Sequence, residues 1–425
     1  MGKNADLTGK KLLILGANQE TVLIIETARQ MGIYTIVTDY VPNAYAKKFA
    51  DKSYDVDGLD IDGLVELARK EQIDGIMVGV ADRLISPYQQ LCKRLNVPCY
   101  ATSQQCEVLT DKENFNKVCA RYGISGIPSY QLDGYSDKEL YNDLHFPIMI
   151  KPVDSSSGKG MMICNSPDEI KPAIEKAIRY SQSGRFLVER FMQCDDISIT
   201  YTIKNEEIFV SAVADRFTCR QQKSGSPVCL GNLYPSKYTN LYFDTLHDKF
   251  LHLFKDIRIS NGVLMISAFV ENNNIYVYDP GFRLQGEAPN LHIEAVNGFD
   301  QKKLLIEFAL TGNMGKEDLY ILNDVRFHNK HTATIWSLIK EGTIAKIEGL
   351  EELQSMPEVF KINQRLYEHD IITPEMIGTE RQVLARVYLM CDTFDQLKGK
   401  VREFQKIIKV YNDKGENLVL PGFEP

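Results

Sequence analysis

The sequence predicts an α/β protein that carries a compact α+β unit and ends in a further α+β part. Three observations point there. Short continuous apolar runs alternate with helical stretches over roughly residues 8–105, the pattern of parallel strands buried between helices. From about residue 110 that rhythm gives way to hairpins and alternating strands. The last hundred residues add strands and one amphipathic helix near Phe394–Ile407. The expected divisions are an N-terminal α/β domain over 1–108, a lid with its linking helix over 109–190, a larger body over 191–318 and an α+β domain over 319–425.

Each element has a local reason. Lys11–Leu15 (KLLIL) reads as a buried strand, Gly16-Ala17-Asn18 as a turn, and Thr21–Met31 as a helix with Val22, Ile25 and Ala28 on one face. Tyr34–Thr38 is a second strand closing on Asp39, Ile61–Glu71 a helix, Ile73–Val80 a strand and Asp82–Leu95 a helix with Pro87 in its first turns. Val97–Tyr100 is expected as a last strand. Asp111–Tyr122 is helical, stopped by Gly123 and Pro128. Phe146–Ile150 and Lys159–Cys164 make a hairpin, and Ser166-Pro167-Asp168-Glu169 opens a helix with Ser as N-cap and Pro at N1. Arg185–Met192 and Ile197–Ile203 alternate as strands. Further strands lie near 208–217, 262–270 and 274–279, the last two joined by Asn272-Asn273-Asn274. Helices lie near 243–257 and 301–310, and strands at Thr343–Ile347 and Val383–Met390.

The bulk composition excludes several classes. A net charge of −8 with no long basic stripe argues against nucleic acid as the main partner. No apolar run approaches a bilayer span, Gly262–Val270 being among the longest, so no membrane partner is expected. The N-terminal MGKNADLTGKK has no apolar core of a secretory signal, and Asp6 stands where a myristoylation site needs Ser or Thr. Nine single cysteines without a Cys-x-x-Cys pair read as reduced thiols, which makes a cytoplasmic protein the expectation. His328 and His331 are either half of a zinc site or two surface histidines.

Two loops invite chemistry. Gly16, at a strand end, and Asp39, at the distance of a ribose-binding acid, fit a dinucleotide site, but one glycine stands where that fingerprint wants three. The stretch Ile150–Met161 (IKPVDSSSGKGM) places hydroxyls, free backbone N–H groups, glycines and lysines between two apolar runs. That set suits an anion, most often a phosphate, and equally a polar hairpin. Val153 and Gly160 stand where a Walker loop needs Gly and Ser or Thr, so it is not one.

The order of the pieces is more telling than any one. A parallel α/β domain is followed by Thr110-Asp111-Lys112, Ile150-Lys151-Pro152 with its Ser/Gly loop, Leu187-Val188-Glu189-Arg190-Phe191-Met192, Asp195-Asp196, and Asp279-Pro280-Gly281-Phe282-Arg283. This resembles the ATP-grasp superfamily, within it the ligases similar to biotin carboxylase and the carbamoyl-phosphate synthase large subunit. The resemblance covers about residues 10–310 and extends more weakly over the last hundred.

It implies an ATP-grasp fold with the N-terminal domain preceding it, ATP and Mg²⁺, and joining of a carboxylate to an amine or other nucleophile through an acyl-phosphate. Lys112 and Lys151 would reach the phosphates, with Ser155, Ser156, Ser157, Gly158 and Gly160 folding over them. Glu189, with the backbone of Arg190 and Met192, would read the adenine edge, and Asp196 would hold the ribose. Asp279 would hold Mg²⁺, as one ion in place of two or weakly, and Arg283 would stabilise the transferring group. Ser267 and Gly281 fall where the family has further metal ligands. Gln285, Glu287 and Ser267 are the candidate replacements. Arg216, Arg220, Lys223 and Gln285 lie where the acceptor substrate approaches. A homodimer is the expected assembly. A relative that binds nucleotide without turnover is the alternative.

Overall fold

The structure, a computed structural model, describes residues 6–132, 141, 144–154, 159–220 and 227–425. The N-terminal strands pair in parallel, in the order Lys52–Tyr54, Tyr34–Thr38, Lys11–Leu15, Gly75–Val78. Helices Thr21–Gln30 and Ile61–Glu71 make the crossovers that parallel pairing requires. Leu12, Leu13, Ile14 and Leu15 are fully buried, so the run KLLIL has no polar face because both of its faces are covered.

Val97–Tyr100 is not a strand. The helix Ile85–Leu95 ends on Asn96 in the left-handed conformation (φ 55°), and Pro98 has no N–H for a ladder. The apolar residues serve packing instead. Tyr100 lies 5.0 Å from the Tyr88 ring and 4.9 Å from Phe282, and its hydroxyl donates to the Phe282 carbonyl. The N-terminal domain is thereby keyed into the body. Gly75 makes the second close approach, since a Cβ there would sit 2.3 Å from the carbonyl oxygen of Ala309 in the helix Gln301–Thr311.

The lid is a four-stranded antiparallel sheet, in the order Ser129–Tyr130, Phe186–Arg190, Ile148–Pro152, Met162–Cys164. The helix Ile170–Tyr180 covers it through Ile170 and Ile174, which pack with Ile148, Ile150 and Val188. The expected start at Ser166 differs in detail. A 3₁₀ turn, Pro167–Glu169, comes first, and the Ser166 side chain makes no cap. Glu169 reaches back instead and accepts from the Asn165 N–H at 2.6 Å.

The body is one eight-stranded antiparallel sheet. Its order is Asn274–Gly281, Gly262–Glu271, Asp195–Lys204, Glu207–Arg220, Pro227–Tyr234, His331–Leu338, Val383–Cys391, Val359–Gln364. The sheet thus runs unbroken from the body into the C-terminal part, through Tyr234 paired with Thr332 and Gly231 with Ile335. Asn272 and Asn273 both have positive φ, 51° and 60°, which joins the first two strands by the tight turn that matches sheet twist. The helix Phe394–Ile407 packs Leu397, Val401 and Phe404 against the far strands and opens on a capping box of Thr393 and Gln396.

His292, in the helix Pro289–Asn297, is fully buried. It bonds Thr334 Oγ1 through Nε2 at 2.7 Å and packs on the rings of Tyr234, Phe360 and Tyr388. Burial pushes its pKa down to about 3. The unfolded chain therefore binds a proton here that the folded chain refuses between about pH 6.5 and 3, and stability falls as pH drops through that window. The contribution is about 1.4 kcal/mol per pH unit. His292→Gln should remove about one proton from the slope of unfolding free energy against pH, read by urea unfolding between about pH 4 and 7.

Candidate active site

A cavity of about 430 Å³ lies where the N-terminal domain, lid and body meet, with Glu380 reaching it from a C-terminal turn. The N-terminal domain faces it with the loops at the carboxyl ends of its parallel strands. These carry Asn18 and Glu20 after Lys11–Leu15, and Asp82 after Gly75–Val78.

Lys112 is the first residue of the helix Lys112–Arg121, which Asp111 caps by accepting from the Asn114 N–H. A cation at a helix N-terminus opposes the helix dipole, so another charge must hold it. Asp279 Oδ1 does so at 3.4 Å. Burial pulls the Lys112 pKa down, but Asp279, Asp82 and Glu189 outweigh burial and hold it above the ordinary value. Lys151 points the same way from the lid strand. It pairs with Glu189 Oε2 at 2.6 Å, and the two side chains are 8% and 2% exposed. Met149 stands directly opposite Glu189, so Lys151 reaches it diagonally on the same face of the sheet. A lysine ending an apolar strand needed an anionic partner, and Glu189 is one within the protein.

Arg190 and Met192 also line the cavity. The Arg190 guanidinium turns to Glu271 Oε2 at 2.6 Å and lies over the Tyr276 ring. Arg283 donates to Asp82 Oδ2 and, at 2.8 Å, to the Leu284 carbonyl. Burial opposes its charge, and Asp82 and Asp279 overcome that and raise its pKa. Asp279 stands opposite Ser267 in the strand pairing, and both line the cavity.

Other expected residues are placed differently. Asp196 is not on the cavity wall. Its two oxygens accept from Arg216 Nη1 at 3.0 and 2.9 Å and from the Tyr278 hydroxyl at 3.1 and 3.3 Å. Burial raises its pKa to about 6 against the pull of Arg216. The Asp196 carboxylate is thus already engaged by Arg216 and Tyr278 on the sheet behind the cavity wall. Arg216 lines the cavity, but its Nε and Nη2 bond Glu287 at 3.1 and 2.5 Å while Nη1 serves Asp196 and Tyr278. Its fork is occupied by the protein's own acids rather than left open for substrate. Gln285 is buried, bonded to Glu287 Oε2 at 3.2 Å and to the Thr200 hydroxyl at 3.4 Å. Gly160 ends the loop in the left-handed conformation (φ 80°). Ser155, Ser156, Ser157, Gly158 and Lys223 lie outside the described residues, as does the side chain of Arg220.

Two sets of residues escaped the sequence. One is Asp82, hidden at the start of an apparent helix. The other joins Glu20 to Arg365 and Arg386 of the C-terminal strands. Arg386 is fully buried, donates to Glu20 at 3.1 Å, Glu380 at 3.2 Å and the Gly286 carbonyl at 2.5 Å, and stacks 3.5 Å over the Trp336 ring. Burial would raise the Glu20 pKa, but the two guanidiniums hold it below the usual carboxylate range. A visible signal was the arginine in the middle of the apolar run Val383–Cys391.

The rival readings of the sequence find little here. Asp39 accepts from the Ala17 and Val41 N–H groups at 2.9 Å, closing its own loop. Among the described residues no three His, Cys, Asp or Glu side chains group to hold a metal by themselves, at His328 and His331 or elsewhere.

Comparison with known proteins bears on the whole arrangement. A family profile described as D-ala D-ala ligase C-terminus matches residues 131–222. A formate-dependent phosphoribosylglycinamide formyltransferase of Bacillus velezensis is 25% identical over 199 residues, 46% of this chain and 52% of that protein. A carbamoyl phosphate synthase large chain of Clostridium beijerinckii is 22% identical over 311 residues, 68% of this chain and 28% of that protein. The chain therefore spans about half the length of the first relative and little over a quarter of the second. Among solved structures, the biotin carboxylase domain of the Hydrogenobacter thermophilus 2-oxoglutarate carboxylase, in complex with MgADP, ADP and bicarbonate, superposes with a TM-score of 0.75 at 16% identity. That match covers 97% of this chain and 91% of that one. The chain has the ATP-grasp fold, and parts of its sequence are similar to the formyltransferase and to the carbamoyl phosphate synthase large chain.

Proposed function

We propose that the chain is an ATP-dependent ligase that joins a carboxylate to an amine or another nucleophile through an acyl-phosphate. The observation that carries this is the convergence of Lys112 from a helix, Lys151 from a lid strand and Arg283 from the loop after the strand Asn274–Gly281 on one cavity of a size that suits small substrates. A carboxylate oxygen attacks the γ-phosphorus, the bond to the bridging oxygen breaks, and ADP leaves. The nucleophile attacks the acyl carbon, the C–O bond to phosphate breaks, and phosphate departs while the nucleophile loses its proton to water.

Each residue has a physical task. Lys112 and Lys151 place fixed positive charge along the phosphates, which needs little reorganisation because Asp279 and Glu189 already hold them. Arg283, oriented by Asp82, meets the charge that develops on the transferring group and on the tetrahedral intermediate. The Asp279 carboxylate, 36% exposed, is a hard oxygen donor that fits Mg²⁺ sharing its shell with phosphate and water. When bound, that ion neutralises phosphate charge.

The second reading, a nucleotide-binding subunit without turnover, is favoured by Ser267. No carboxylate stands opposite Asp279, and Glu271, the acid of that strand, is taken by Arg190.

Thermal unfolding with ATP, with and without Mg²⁺, separates the two readings once joined to ADP release in the presence of carboxylic acids and amines. Saturation at a hundred times Kd adds about 2.7 kcal/mol. The ligase reading expects Mg²⁺ to enlarge that shift and ADP release to need both acid and nucleophile. A shift indifferent to Mg²⁺, with no ADP release, supports the second reading, and no shift removes both. Lys112→Ala should weaken ATP binding by about 1.5–3 kcal/mol, roughly 10- to 100-fold, by calorimetry. Glu189→Ala, which strands Lys151, should cost about 3–5 kcal/mol in urea unfolding. Lys151→Met combined with Glu189→Leu should recover most of that loss.

A further inference from the structure

The lid and the helix that leads to it belong to separate apolar cores. The lid core gathers Ile148, Ile150, Ile170, Ile174 and Val188. The linking helix Lys112–Arg121 sends Phe115 and Cys119 into the large core that the N-terminal domain and body share. Lys151 and Lys112 thus reach the cavity from two separately packed units. Two arginines bridge the boundary, one at each end of the lid strand Phe186–Arg190. Arg190 pairs with Glu271 of the body at 2.6 Å, and Arg185, just before the strand, turns to the linking helix.

The Arg185 contacts are specific in what they join. Nη2 donates to Asp111 Oδ2 at 2.8 Å and Nη1 donates to Glu113 Oε2. These two acids stand on either side of Lys112, and Asp111 Oδ1 already caps the helix that Lys112 begins. The backbone of Arg185 holds the other lysine's surroundings. Its carbonyl accepts from the Val153 N–H at 3.3 Å. Its N–H donates to Ser181 Oγ at 3.1 Å, which itself donates to Asp154 Oδ1 at 2.7 Å. One residue therefore ties the chain just beyond Lys151 to the helix start at Lys112. Arg185, Asp111 and Glu113 do not line the cavity.

We propose that Arg185 is a positioning residue that sets the spacing of Lys112 and Lys151 from outside the cavity, through its fork on Asp111 and Glu113. The inference rests on the nucleotide reading of the cavity. The Arg185 side chain is 49% exposed, so its pairs are weak singly, and no apolar core shared by lid and linking helix backs them up.

The test is a charge-reversal cycle in the full chain, with ATP binding read by calorimetry at low salt. Arg185→Glu should weaken binding about three- to tenfold, and Glu113→Arg about twofold. The second result is the sharper one, because adding positive charge near the phosphates would by itself strengthen binding. The two changes together restore an opposite pair across the boundary and should return affinity to within about twofold of wild type. Hydrogen exchange without nucleotide reads the tie directly. Amides of the first turn of the linking helix and of the strand Phe186–Arg190 should exchange faster in each single variant and recover in the double. Tighter ATP binding by Glu113→Arg, no recovery in the double variant, or exchange unmoved by either single change overturns the proposal. Should Arg185→Glu not fold, Arg185→Gln takes its place, with weaker ATP binding again expected and unchanged binding overturning the proposal. Failure of the wild-type chain to bind ATP is a different result, which overturns the nucleotide reading and the positioning role with it.

Discussion

Buried charge must be paired, and the layout of this molecule follows from that constraint. Lys151 is held by Glu189 within the lid, Lys112 by Asp279 of the body, Arg283 by Asp82 of the N-terminal domain, and Arg386 by Glu20 across the full length of the chain. An unpaired ion in these places would cost several kcal/mol. Three of the four pairs join parts of the chain far apart in sequence. The cavity is therefore lined by charges that the protein has already neutralised and oriented before any ligand enters.

Packing makes that pairing possible. The Tyr100 ring against Phe282 and the bare backbone of Gly75 against Ala309 seat the N-terminal sheet on the body at two points. With the sheet so fixed, the loops after its first and last strands in sequence face the cavity. A shift of an ångström there would separate Asp82 from Arg283 and Glu20 from Arg386 together. The N-terminal domain is thus part of the site and not merely its neighbour.

Much of this was legible in the sequence, and the remainder was not for physical reasons. Three of the four parallel strands, the lid hairpin, the Asn-Asn turn and the helix Phe394–Ile407 follow from local periodicity and turn chemistry and stand where expected, while the short edge strand Lys52–Tyr54 gave no such signal. Lys112, Lys151, Glu189, Asp279 and Arg283 could be picked out because each sits in a short motif, and all of them line the cavity. Val97–Tyr100 misled because its apolar residues answer to a partner domain rather than to a ladder. The pairing of Asp196 with Arg216 was not legible, because a motif fixes where a residue lies along the chain but not which side chain it meets in space. Asp82, Glu20 and Arg365 have no local signature, since each is defined by a partner in another part of the chain, and Arg386 shows itself only as a charge inside an apolar run.

Trp336, beneath Arg386, gives the molecule one further property. It is the single tryptophan of the chain, it is almost wholly buried, and the cation stacked on its indole ring is one of the two that grip Glu20 on the cavity wall. Indole emission depends on the charge lying over the ring. The protein therefore carries an intrinsic optical reporter beside the two arginines, Arg386 and Arg365, that hold the joint between its first loop and its last strands. Any event that loosens that joint is written into the fluorescence of the unlabelled chain.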